Sequence, residues 1–181
     1  MYKIIPMNKH VLHAVRDFQL AHYIENVIER KRDEQDFVLK MLPTDIWLHS
    51  MKQKLSIVAS SGKNVGGYVL ASHPKYAKVL DFENEMIAIS KSGKKIQKYV
   101  FIIQTCLNEL YWVRNADLVL YAHFFKNLKE RGYENVVISI PGVNPISIQY
   151  HEEIGFKKMF STSDGPSHGN QLCQHYYLRE L

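Results

Sequence analysis

The stretch from Tyr99 to Ile140 constrains the fold more than any other part of the chain. "YVFIIQTCL" (Tyr99 to Leu107) is apolar at nearly every position, and a run apolar on both faces predicts a central strand covered on both sides. Beyond it, Leu118, Tyr121, Ala122, Phe125 and Leu128 recur at helical spacing, thickened by Leu120 and Phe124. They predict a helix from about residue 115 to 131, ended by Gly132 at the C′ position. "NVVISI" (Asn135 to Ile140) reads as a second buried strand. Strand, helix and strand in this order predict two adjacent parallel strands joined by a right-handed crossover.

The flanking segments fill in an α/β fold with a mixed sheet. "YKIIP" predicts a short first strand closed by Pro6, and Asn8 caps a helix carrying Val11, Leu12, Val15 and Phe18. Helix is expected to continue through "HYIENVIERKR", and another to start at "PTDIWLHSMKQ" with Thr44 or Asp45 as N-cap. "LSIVASSGKNVGGYVLAS" carries a hairpin signal. Residues 73 to 93 give no clear pattern. Asn144 and Pro145 open a short helix that ends at Gly155, and "FKKMFS" with "CQHYYLREL" predicts a final hairpin. The 181 residues fit one domain, 1–181, with no repeat or linker to divide them.

Composition narrows the functional classes. The charge of +5 and pI of about 9.1 suit an anionic ligand, but no Lys/Arg block resembles a nucleic-acid arm, so nucleic acid is not the expected partner. "ERKRDEQD" (Glu29 to Asp36) mixes both signs and reads as a solvated helix face. The longest apolar run is too short to cross a bilayer, and the first residues lack a signal-peptide pattern. The two cysteines, Cys106 and Cys173, make no disulfide framework. A cytoplasmic setting with no membrane partner is expected. Cys173 and His175 would share a strand face, with His168 nearby, but three scattered ligands do not make a metal site and none is expected.

In "NPISIQYHEEIGF" (Asn144 to Phe156), Asn144, Ser147 and His151 fall on one helix face, a polar row near the helix start. Read alone, this is a capped helix with a half-exposed histidine. The segment also resembles a signature of the GCN5-related N-acetyltransferase (GNAT) superfamily, with Asn144, Ser147, Gly155 and Phe156 on its fixed points and His151 where Tyr is usual. The resemblance extends back to "FIIQTCL" and covers about the last half of the chain. It implies a GNAT-like mixed sheet whose central parallel strands splay apart, flanked by helices. It further implies an acyl group moved from a coenzyme A thioester, acetyl-CoA or another acyl-CoA, to a small-molecule or peptide amine; a homodimer is left open. Thr105, Cys106 and Leu107 would offer backbone groups to the pantetheine arm, with Asn144 and Ser147 across the gap. His151 would be the catalytic participant at the leaving thiolate or toward the amine.

The family's pyrophosphate loop departs from its glycine-rich pattern here. Its fixed points fall on Trp112, Asn115 and Asp117, none of them glycine. Arg114, Asn115 and the backbone of Ala116 and Asp117 would have to hold the anion at the helix start. Two readings stand: a working donor site, or a relative that has lost the donor and serves as a binding module. The central strand also lacks the glutamate base of many family enzymes; Glu109 just past it, or Glu83 or Glu85, would be the substitutes, since the amine must be neutral to attack.

Overall fold

The computed structural model of the protein describes residues 2–27, 36–62, 64–108, 116–162 and 173–181, with the side chains at 116 and 117 excepted. In chain order its elements are β1 (Lys3–Pro6), α1 (Lys9–Ala21), α2 (Thr44–Lys52), β2 (Ile57–Ser61), β3 (Asn64–Ser72), α3 (Glu83–Lys91) and β4 (Tyr99–Leu107). Then follow α4 (Ala116–Glu130), β5 (Asn135–Pro141), α5 (Pro145–Glu153), β6 (Lys157–Thr162) and β7 (Gln174–Glu180). The strands form one seven-stranded sheet in the order β1-β2-β3-β4-β5-β7-β6. β4 and β5 are parallel, as the crossover pattern requires, and the other pairs are antiparallel.

The doubly apolar character of β4 is explained by what lies on each face. Val100 and Ile102 pack with Val136 and Ile138 of β5 under Leu120, Tyr121, Phe124 and Leu128 of α4 and Tyr150 of α5. Phe101 and Val137 face the opposite way, toward Val15 and Phe18 of α1, Trp47 of α2 and Ile89 of α3. Side chains alternate across a strand, so a strand covered on both sides must be apolar at every step. Each such side chain contributes about 1.5–3 kcal/mol when fully buried.

β4 and β5 stay together only briefly. Their register runs from Tyr99↔Asn135 to Ile102↔Ile138, after which β4 continues to Leu107 and β5 to Pro141 without pairing to each other. A cause lies on the other edge of β4. Its pairing to β3 slips between Leu70↔Gln104 and Ala71↔Ile102, leaving Ile103 as an extra residue. Such a bulge bends its strand, and here it falls where the two parallel strands part.

Two local expectations are corrected, and a stretch without a clear pattern is filled. Helix does not continue from Ala21 through Val27: His22 caps it, its N–H and ring both turned back to the Phe18 carbonyl, and Tyr23 bridges to Val38 instead, while residues 28 to 32 of the expected run lie outside the described residues. Neither Thr44 nor Asp45 caps α2; Pro43 holds the N-cap position, and the Thr44 hydroxyl accepts from Arg16 at 2.5 Å. The patternless stretch contains a 3-10 turn, Pro74–Tyr76, and α3, whose signal is weak because Ile89 is its one fully buried residue.

Candidate functional site

The opening between β4 and β5 is bordered by the end of β4, the start of α5, and α4 above them. Asn144 caps α5, its Oδ1 accepting from the Ser147 N–H at 3.1 Å. Pro145 follows as the first helical residue, where a missing N–H costs nothing. The polar row predicted on this helix is present but not half exposed: Asn144, Ser147 and His151 are 4%, 6% and 1% exposed.

Polar residues so deeply placed need partners, and each has them. His151 Nδ1 lies 2.6 Å from the Ser147 carbonyl, so Nδ1 carries the proton and Nε2 accepts. The acceptor nitrogen receives the Tyr121 hydroxyl, 2.8 Å away on α4. Tyr121 also lies 3.3 Å from the Thr105 hydroxyl of β4, which donates to the Tyr68 carbonyl at 2.9 Å. Burial drives the His151 pKa down to about 4 and raises that of Tyr121. The resting pair is a neutral imidazole and a neutral phenol, so His151 at rest holds only the Nδ1 proton that it gives to the Ser147 carbonyl.

Across the opening stands a carboxylate. Asp36 is 4% exposed and accepts at Oδ2 from the Leu107 N–H of β4 (3.2 Å). At Oδ1 it accepts from Asn144 Nδ2 and its neighbour's N–H, Phe37, both at 3.0 Å. The second Asn144 hydrogen goes to the Phe37 carbonyl at 3.1 Å. Burial pushes Asp36 up to about 6, although its three N–H donors oppose the shift. The mixed-charge run around it is thus corrected at Asp36, which is no part of a solvated face; residues 29 to 35 lie outside the described residues.

On the α1–α2 side of the same strand, Gln104 Oε1 accepts from Gln19 Nε2 (2.6 Å) and the Tyr68 hydroxyl (2.7 Å), while its Nε2 donates to the Lys40 carbonyl (2.8 Å). Lys40 pairs with Asp81. Glu85, in the first turn of α3, has its pKa raised chiefly by burial; Glu83 is exposed. A groove of about 380 Å³ runs along the outer side, lined by Tyr121 and Phe125 of α4 and by Ile154, Gly155 and Arg179.

The fold therefore gathers Thr105, Leu107, Asn144, Ser147 and His151 around one opening. Cys106, between Thr105 and Leu107 on β4, turns its side chain into the α1–α2 core, and burial pushes the thiol well up. Ala116 and Asp117 begin α4. Glu109, Trp112, Arg114 and Asn115 lie outside the described residues. Among the described residues no cluster of three metal-ligating side chains occurs; Cys173 lies 3.6 Å from His175, whose Nδ1 meets Ser161 at 2.9 Å.

Two site residues escaped the sequence. Tyr121 looked like one more member of an apolar stripe, and its hydroxyl gave no signal until His151 faced it. Asp36 sat at the end of a charged run, and only its neighbours "FVLK", turning apolar, hinted at entry into the core.

No family model matches the sequence, and no curated protein matches it closely enough to count. Solved structures do match in shape. The ribosomal-protein-alanine N-acetyltransferase of Brucella melitensis superposes with a TM-score of 0.65 at 16% identity, over 99% of each chain. The Salmonella typhimurium protein yncA, solved with its cofactor acetyl-CoA, gives 0.66 at 14% identity over 99% of this chain and 94% of that one. The C-terminal condensation domain of Ebony, in complex with beta-alanyl-dopamine, gives 0.68 at 12% identity over 100% and 99%. The architecture is that of the GNAT acetyltransferases: a mixed seven-stranded sheet, flanked by helices, with its central parallel pair splayed.

Proposed function

We propose that the protein is an N-acyltransferase that moves an acyl group, most simply acetyl, from a coenzyme A thioester to an amine. The observation that carries this reading is the parting of β4 from β5 after Ile102↔Ile138, with the buried row Asn144, Ser147 and His151 across the gap. An unpaired strand edge offers N–H and C=O groups to an extended amide chain, and the pantetheine arm is such a chain. The Leu107 N–H and the Asn144 amide would hold it, and the start of α4, around Ala116 and Asp117 with Arg114 and Asn115, would face the pyrophosphate.

In the reaction the amine nitrogen attacks the thioester carbonyl, a tetrahedral intermediate forms, and the C–S bond breaks to release the thiolate. Backbone N–H groups at the gap would stabilise the oxyanion. The Tyr121 hydroxyl, turning from His151 Nε2 toward the sulfur, would donate to the leaving thiolate. Until then His151 holds that hydroxyl at the edge of the opening. Glu85, half-buried on the α1–α2 side with its pKa raised chiefly by burial, would be one candidate to receive the amine's proton, directly or through water; Glu109, from the segment after β4, would be the other.

A second reading has its own observation. Leu107 N–H and both Asn144 hydrogens are already bonded to Asp36 and Phe37, as they would be in a binding module that has given up its donor. One experiment separates the two. Calorimetry with acetyl-CoA is followed by a thiol-release assay over a panel of amines, spermidine, lysine methyl ester, dopamine and an N-terminal alanine peptide. Binding with release supports the transferase; neither event up to millimolar acetyl-CoA sinks it.

A further inference from the structure

We propose that Asp36 and Phe37 are a built-in occupant of the opening between β4 and β5, and that the acyl donor binds by displacing them. The inference rests on the acyltransferase reading and adds a regulatory step to it. The Leu107 N–H points away from β3, whose neighbouring contact is made by Asn108 N–H on the Gly66 carbonyl at 2.9 Å. It is spent on Asp36 Oδ2. Across the gap the Asn144 amide is fully used, its Oδ1 on the Ser147 N–H and its two hydrogens on Asp36 Oδ1 and the Phe37 carbonyl. A carboxylate and a peptide carbonyl thus satisfy the donors on both sides of the wedge. These are the groups an extended amide ligand would require.

The occupant is built to be exchanged. Burying a charge costs more than burying a neutral amide that makes the same hydrogen bonds. A ligand amide replacing the carboxylate would therefore relieve a penalty that Asp36 bears. Among the described residues no cation stands beside Asp36: its ionisable neighbours there are Cys106 on β4, Tyr68 on β3 and Tyr121 on α4, all held neutral by burial. The chain after Phe37 has its own anchors, Val38 N–H on the His22 carbonyl at 2.9 Å and the Lys40 carbonyl on Gln104 at 2.8 Å. Residues 36 and 37 can leave the wedge while residues 38 to 40 keep their place on the α1–α2 face.

If the occupant must leave first, apparent affinity for the donor is reduced by the fraction of time the wedge is free. The test uses coenzyme A itself, titrated by calorimetry into the wild type, Asp36→Ala and Asp36→Asn at pH 7.5. Asp36→Ala should bind about tenfold tighter or more, with Asp36→Asn between it and the wild type. A wild-type measurement guards against a misfolded variant: the Leu107 amide proton, followed by NMR, should track the Asp36 titration in the free protein and cease to do so with saturating coenzyme A. Wild-type binding with unchanged or weaker affinity in both variants, or a Leu107 amide that still follows Asp36 in the bound state, overturns the occupant and leaves the acyltransferase reading standing. Absence of binding by all three proteins removes the acyltransferase reading, and the occupant with it.

Discussion

Tyr121 and His151 meet hydroxyl to Nε2 at 2.8 Å, joining α4 to α5 over the opening, and the Ser147 carbonyl fixes the tautomer from the other side of the ring. A histidine set in this way has no free nitrogen of its own to offer a substrate. Whatever it contributes passes through the phenol. If that phenol serves the leaving thiolate, Tyr121→Phe and His151→Phe should each cut turnover by about 100-fold, the usual scale of a proton-transfer group. The double variant should lose little more than either single one, because both remove the same unit. Turnover is read by thiol release, with coenzyme A affinity checked separately and expected to hold. Losses that multiply in the double variant would mean separate roles.

The two buried ionisable groups predict an unusual pH dependence of stability. The Asp36 pKa rises from 3.8 to about 6 on folding, so the folded state holds a proton the unfolded chain has lost, and stability falls as pH rises through that window. That of His151 drops from 6.5 to about 4, so stability falls as pH drops from 6.5 toward 4. Each effect is worth roughly 3 kcal/mol in full, and over the shared interval they oppose each other. Denaturant melts of the wild type should be nearly flat between pH 4 and 6. Asp36→Asn should lose stability on acidification across it, by about 1.4 kcal/mol per pH unit, and His151→Phe should gain. Parallel profiles in all three proteins would show that the two groups do not titrate this way.

Asp117 opens α4 where a bound pyrophosphate would sit. Asp117→Gly should tighten coenzyme A binding by roughly 0.3–1 kcal/mol from the charge–dipole effect, and Arg114→Ala should weaken it. Calorimetry reads both. An unchanged affinity in both variants would place the phosphate elsewhere.

Gly67 presses β3 against the end of β4. A Cβ built there would lie 2.6 Å from Leu107 Cδ2 and 3.0 Å from the Cys106 carbonyl oxygen. The first contact can be relieved by a rotamer change, but the second is backbone. Gly67→Ala should destabilise by about 1–3 kcal/mol, as overpacking does, and shift the Leu107 amide resonance. A denaturant midpoint within error of wild type would mean the strand end gives way freely.

The sheet centre was legible because pattern and packing coincide there. β4 and β5 each face two buried layers, and α4 carries a full apolar stripe, so periodicity alone reports their contacts. The capped start of α5 was legible for the same local reason. Asp36 was not, since its role depends on Leu107 and Asn144, residues 71 and 108 positions away. Local pattern treats a carboxylate in a charged run as solvated, and nothing nearby in sequence says otherwise. α3 failed differently: with Ile89 its single fully buried residue, the stripe that marks a helix is too thin to read.

The short ladder between β4 and β5 also divides the sheet by order of synthesis. Every pairing among β1, β2, β3 and β4 closes between residues up to Leu107, and every pairing among β5, β6 and β7 lies at Asn135 or beyond. As the chain emerges from the ribosome, the first four strands can complete their hydrogen bonds before the last three exist. The seam at Tyr99–Ile102 forms afterwards, with α4 as the connecting segment. The strand pairings on the two sides of the opening can thus close separately, while the core beneath them is completed only when α4 and β5 arrive.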